Sequence, residues 1–164
     1  MKRIIAILAL FICFQSYGQT SYTVYIFLAE ECPVCNYIVK TLKKVSDEYS
    51  DDVKFVAVFP QKMSNYKTAS RFKNKYHLTN FTIELDHDLE ITNRYKAAIT
   101  PEVVVVDNED NILYQGRINN SYAAPGRMRH GKVTENLMLS LIDIIQGKRI
   151  PKPWPEPIGC YITK

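Results

Sequence analysis

"AEECPVCNYIVKTLKK", residues 29–44, sets two cysteines two residues apart at the start of a segment with helical period. Val34, Ile38, Leu42, Val45 and Tyr49 recur at helical spacing, with Lys40, Lys43, Lys44 and Glu48 on the other side. Pro33 suits the first helical position, where a missing N–H costs nothing. Just upstream, "SYTVYIFLA" (21–29) is a continuous apolar and β-branched run, the mark of a strand covered on both faces. Cys32 and Cys35 therefore fall between a buried strand and a helix. On their own they read equally as a redox couple, half a metal site or two inert buried thiols.

Further along, "VKFVAVFP" (53–60) predicts a second buried strand, and Ser64 to Tyr76 a basic amphipathic helix capped by Ser64. "FTIELD" (81–86) reads as a short strand, and Asp88 as the cap of a brief helix through Tyr95. "EVVVVD" (102–107) and "NILYQGRI" (111–118) form a hairpin over residues 107–110. Thr134 to Gln146 is a last helix with Leu137, Leu141 and Ile145 inward, closed by Gly147. The tail "IPKPWPEPIGCYITK" carries too much proline for regular structure, and Trp154 within it suits a strap over the core. Strands alternating with helices, ending in a hairpin, give an α/β layout with a mixed sheet.

The amino terminus bears on compartment. Lys2 and Arg3 precede an apolar run, Ile4 to Phe14, and Ser16-Tyr17-Gly18 offers small residues for cleavage after Gly18. This is the layout of a secretory signal peptide over residues 1–18, and it is too short to span a bilayer. Cleavage removes Cys13 with it and takes the net charge from +4 to +2, which argues against a nucleic-acid or membrane-surface partner. No later segment is long and apolar enough to cross a membrane. The expected location is periplasmic or secreted. Cys32, Cys35 and Cys160 remain: one close pair and one distant thiol in an oxidising compartment, which points to redox work rather than a disulfide framework.

A first strand running into Cys-x-x-Cys at a helix start, followed later by "ITPEVVVVD", resembles the thioredoxin superfamily. Sixty-six positions separate Cys35 from Pro101, and the surplus around "FTIELDHDLEITNRYKAAITPE" resembles the insertion of the redoxin branch. That branch holds the thiol-specific-antioxidant proteins and the extracytoplasmic thioredoxins that serve cytochrome maturation. "VVVVDNEDNILYQGRIN" and the ending "PIGCYI" resemble a redoxin subgroup as well. The resemblance implies a thioredoxin-like fold over residues 19–147: a central mixed sheet flanked by helices, with an insertion before the strand opened by cis-Pro101. Residues 148–164 form a proline-rich tail packed on it.

The resemblance further implies a thiol–disulfide oxidoreductase exchanging disulfides with protein substrates, with a membrane or periplasmic thiol as electron donor or acceptor and no cofactor or metal. A thiolate is the nucleophile, and a helix N-terminus lowers a thiol pKa. Cys32, at the tip beside Glu30 and Glu31, is expected to face water and attack, and Cys35, one turn in, to be buried and resolve. Pro101 would pack over the pair and Thr100 would offer backbone hydrogen bonds to an extended substrate. Two departures stand out: Glu31 replaces the Trp usual before the first Cys, and Ile26 replaces the buried Asp six positions before it. Glu102 is the candidate substitute proton acceptor, with a surface carboxylate as its plainer reading.

Glu30 and Glu31 would raise the Cys32 pKa against the helix dipole, so reductant, oxidant and isomerase all stay open. The alternatives from other classes are a thiol peroxidase and a copper-delivery protein of the same fold. The first lacks the hydroxyl its motif needs, since Ala29 lies three before Cys32; the second expects cysteines three apart. Covalent haem fails because Asn36, not His, follows Cys35. Cys160, in a tail with no expected strand to hold it, is read as dispensable for the core exchange.

Overall fold

The structure, a computed structural model, describes residues 22–163; the expected signal peptide lies outside them. Strand β1 (Tyr22–Phe27) leads into helix α1 (Pro33–Tyr49), then β2 (Val53–Phe59) and α2 (Tyr66–Lys75). An inserted unit of β3 (Phe81–Leu85) and α3 (Glu90–Tyr95) comes next, followed by the two-residue β4 (Ile99–Thr100). Strands β5 (Glu102–Val106) and β6 (Ile112–Gly116) make the expected hairpin. A small ribbon of β7 (Tyr122–Ala124) and β8 (Arg127–Met128), helix α4 (Asn136–Ile145) and the two-residue β9 (Cys160–Tyr161) complete the order.

The central sheet runs β3-β2-β1-β5-β6. β1, β2 and β3 are parallel, while β5 and β6 run antiparallel to their neighbours. Side chains alternate across it as pleating requires. Val24, Ile26, Phe55, Ala57, Val103 and Val105 bury one face with α1, α2 and α4. Phe27, Val56, Val58, Val104 and Val106 bury the other with Tyr95 of α3. Both faces of β1, β2 and β5 are thus covered, which is why these strands read as unbroken apolar runs.

The structure corrects four local expectations. Asn65, not Ser64, caps α2: its side chain accepts from Thr68 N at 3.1 Å while Thr68 Oγ1 accepts from Asn65 N at 3.0 Å, a reciprocal box. Ser64 is instead buried, its hydroxyl turned to Glu30. Helix α3 is capped not by Asp88 but by buried Asp86, whose carboxylate accepts from Ile91 N, Thr92 N and Thr92 Oγ1; Leu89 makes room for this with a left-handed backbone. On α4, Ile144 rather than Ile145 turns inward, because the helix starts at Asn136 and its phase follows Leu137 and Leu141.

The fourth correction is the tail. Trp154 does lie on the core, 6.1 Å from Tyr114 ring to ring. Beyond it the chain becomes regular again: β9 pairs antiparallel with β4, Ile99 opposite Tyr161 and Thr100 opposite Cys160. Two glycines permit this path. A Cβ on Gly116 would stand 2.2 Å from Pro155 O, and one on Gly159 would stand 2.1 Å from Thr100 O. Ile162 then anchors the strand, buried with Phe27 and Val104, its N–H on Ala98 O at 2.9 Å.

Candidate active site

The end of β1 carries the chain to the site. Leu28 N donates to Val58 O at 2.8 Å, and a turn closes as Cys32 N donates to Ala29 O at 3.1 Å. Cys32 is the N-cap residue of α1, with extended backbone, and Pro33 follows it into the first turn. Asn36, which sequence reasoning used only to exclude haem, ties this turn together. Its Nδ2 donates to Glu30 O at 2.8 Å and Cys32 O at 2.9 Å, while its Oδ1 accepts from the hydroxyl of Tyr76, the C-cap residue of α2. An amide one turn beyond an N-cap is the signal in the sequence that could have marked it.

Cys32, Cys35, Thr100 and Pro101 come together at this turn. The Thr100–Pro101 peptide is cis, the expected isomer. Thr100 O lies 3.3 Å from Cys32 Sγ and accepts from it when the thiol is protonated. Cys35 is fully buried one turn into α1. Cys32 does not face water: its residue is only 3% exposed, because strand β9 crosses in front of it. This corrects the expectation drawn from Glu30 and Glu31. Local charge predicted exposure, but a segment 128 positions away supplies the cover.

The electrostatics favour the thiolate at Cys32. The hydrogen bond from the Cys35 thiol is the main cause, and despite the opposing effect of burial it holds Cys32 down at about 5. The Cys160 thiol and the backbone N–H groups of Cys35 and Val34 add to it. The two N–H groups are unpaired donors of the first helical turn, the local source of the dipole effect. Cys35 is pushed well above the ordinary thiol value by burial, and then by its hydrogen bond to Cys32. Cys160 is pushed up to about 11 for the same two reasons in the same order. The Glu30 carboxylate accepts from Ser64 Oγ and Thr68 Oγ1, each at 2.7 Å, which ties it to the start of α2.

Glu102 is brought close in sequence but turned elsewhere. It is buried opposite Phe27, on the sheet face of Val104 and Val106, whereas Cys35 packs with Val103 and Val105. Its carboxylate accepts from Ala98 N at 3.0 Å, Ile99 N at 3.3 Å and Gln115 Nε2 at 2.8 Å. That geometry holds the β4 loop from behind. On the other side of Cys32 a cleft of about 560 Å³ opens between the α1 tip and α2, walled by Ala29, Glu31, Met63, Arg71 and Phe72, with Cys160 also on its lining.

A family model described as Redoxin matches residues 15–124. The chain belongs to the redoxin family. Among solved structures, this redoxin is similar to a hypothetical protein from Sinorhizobium meliloti, with 22% identity and a TM-score of 0.76 over 88% of this chain and 80% of that one. It is similar also to an uncharacterized conserved protein from Geobacillus kaustophilus, with 24% identity and a TM-score of 0.72 over 87% and 77% of the two chains. A third likeness is the thioredoxin domain of a thiol-disulfide oxidoreductase from Bacteroides vulgatus, with 16% identity and a TM-score of 0.50 over 59% and 70%. No curated protein matches the sequence. The redoxin's fold is thioredoxin-like, with a central mixed sheet flanked by helices.

Proposed function

We propose that this redoxin is an extracytoplasmic thiol–disulfide oxidoreductase that exchanges disulfides with protein substrates through Cys32 and Cys35. One observation carries the reading: Cys32 is acidified at the tip of α1, with Cys35 one turn behind it and Thr100–Pro101 in front. Family membership supports oxidoreductase chemistry in general. The extracytoplasmic part rests on the apolar run Ile4 to Phe14 and the small residues before Gln19.

In the reducing direction, Cys32 thiolate attacks one sulfur of a substrate disulfide, that S–S bond breaks, and the second substrate sulfur leaves as thiolate. Cys32 then no longer carries charge, so the electrostatic hold on the Cys35 proton is gone. Cys35 gives that proton to the departing thiolate and attacks Cys32 Sγ, which releases the reduced substrate and leaves a Cys32–Cys35 disulfide. A membrane or periplasmic dithiol restores the pair. Glu102 is a positioning residue in this scheme: it fixes the loop carrying Thr100 and takes no proton. The cleft beside α2 is the route by which a substrate sulfur approaches.

The test is reduction of a disulfide-bonded protein such as insulin under dithiothreitol, with Cys32→Ser and the double variant Cys35→Ser/Cys160→Ser beside the wild type. Cys32→Ser is expected to lower the rate by about 10³-fold or more. The double variant, which leaves no second thiol at Cys32, is expected to accumulate mixed disulfides on Cys32. Retained activity in Cys32→Ser, or no trapped adduct in the double variant, defeats the proposal.

A further inference from the structure

We propose that Cys160 is a third redox thiol of this site, which displaces Cys35 from Cys32 so that the oxidised protein partitions between a Cys32–Cys35 and a Cys32–Cys160 disulfide. The inference rests on the exchange reading above and adds a partner that the chain itself supplies.

The placement is specific. Strand β9 sets Cys160 opposite Thr100, and the Thr100 carbonyl is the group 3.3 Å from Cys32 Sγ. Thr100 Oγ1 donates to Cys160 O at 3.4 Å, which links the two strands a second time. A Cβ on Gly159 would stand 2.9 Å from Pro101 Cδ, so the tail lies directly against the cis-proline loop. It therefore occupies the edge at which an extended substrate would pair, and Cys160 stands in the place of a substrate cysteine. The Cys160 side chain packs against the core cluster that contains Cys32 and Cys35. All three cysteines are free in this structure, with Cys32 close enough to Cys160 to accept a hydrogen bond from it.

The tail is held on both sides of this contact. Before it, Arg117 N donates to Pro155 O at 3.0 Å; after it, Ile162 is buried. A thiol so restrained reacts at the effective concentration of an intramolecular partner. The step balances without an outside reagent. Once a disulfide substrate has oxidised the pair, Cys160 loses its proton and attacks Cys32 Sγ. The Cys32–Cys160 bond forms, the Cys32–Cys35 bond breaks, and Cys35 leaves as a thiolate and takes up a proton. No electrons are gained or lost. The product keeps β9 on its edge and Cys32 covered, a closed form that Cys35 reopens by the reverse attack.

The full chain, wild type and Cys35→Ala, is equilibrated in glutathione buffers of several ratios, quenched in acid, blocked with N-ethylmaleimide and mapped by tryptic mass spectrometry. A Cys32–Cys160 bond joins the peptide ending at Lys40 to that beginning at Ile150, and fragment ions assign the bonded cysteine. Cys35→Ala is expected to carry this link in most of the oxidised monomer. In the wild type it appears as a fraction of the oxidised protein that does not change with buffer ratio, because the two disulfides are isomers. If the wild type forms Cys32–Cys35 while Cys35→Ala yields only glutathione adducts or dimers, the inference fails and the exchange reading stands. If neither internal disulfide forms in the wild type, both fail. Should Cys35→Ala not fold, the wild-type series decides: a Cys32–Cys160 fraction below about 1% of the oxidised protein, under 10⁻² as an isomer ratio, overturns the inference.

Discussion

Two regions meet at Cys32 and do different work. The tip of α1 is built from neighbours in sequence: Ala29, Pro33, Val34, Cys35 and Asn36 make the turn, aim the N–H groups and supply the buried thiol donor. The tail reaches the same sulfur from the far end of the chain, through glycines, a two-residue strand and one buried isoleucine. The first region sets how acidic the nucleophile is; the second sets who can touch it. Acidity here is set mainly by near neighbours, with a smaller share from the Cys160 thiol, whereas access is decided by packing between distant segments.

The strongest way to break this comparison is Gly159→Val. Its side chain begins 2.1 Å from a backbone carbonyl that cannot move aside, so β9 must lift from β4. Alkylation of Cys32 by iodoacetamide at pH 7 should accelerate by about 10-fold or more, with about 2 kcal/mol of stability lost in denaturant unfolding. An unchanged alkylation rate would mean that the tail does not govern access.

The second prediction sharpens the acidity side. The alkylation rate of Cys32 should follow a titration with midpoint at about 5 in the wild type. Replacing Cys35 by Ala should move that midpoint up, and replacing Cys160 by Ala should move it up by less, since Cys35 is the stronger donor. Equal shifts, or none, would refute the assignment of causes. The same thiolate has a stability consequence. A pKa held below its unfolded value of roughly 8.5 means that the unfolded chain binds more protons in between, so the reduced protein gains stability as pH rises from about 5 to about 8.5. Above that window Cys35 and Cys160, both raised, reverse the sign and stability falls. Thermal unfolding of the reduced chain across pH, with Cys32→Ala as the flattened control, measures it.

The smallest effect expected is that of Glu102→Gln. Loss of charge weakens the bonds to Ala98 and Ile99 N–H and puts an amide donor near a donor, for about 1 kcal/mol of stability. The pH profile of Cys32 and Cys35 alkylation should not move. A shifted Cys35 titration would restore Glu102 as the proton acceptor.

Much of the frame was legible beforehand, and the misses share a cause. Apolar runs marked β1, β2 and β5 because both faces of those strands are buried, and helical period marked α1 because one face is. The caps of α2 and α3 were misassigned by one and two residues. Ser64, Asn65, Asp86 and Asp88 are all competent acceptors, and only the path of the entering chain decides which one reaches the N–H groups. Glu102 read as a candidate proton acceptor because it follows Pro101, yet strand alternation turns it to the opposite face of the sheet.

The sequence by itself determined the α/β order and the cysteine pair at a helix start, since each depends on periodicity or on chemistry within a few residues; that a proline faces the pair followed only from the family resemblance. The cover over Cys32, the fate of Glu30 and Glu102 and the place of Cys160 were decided only by tertiary structure. A strand of two residues has no periodicity to detect, and proline-rich flanks conceal it further. Its existence depends on an open edge at Thr100, on the space left by Gly159 and on a pocket for Ile162, three conditions set by parts of the chain that the tail meets only after folding.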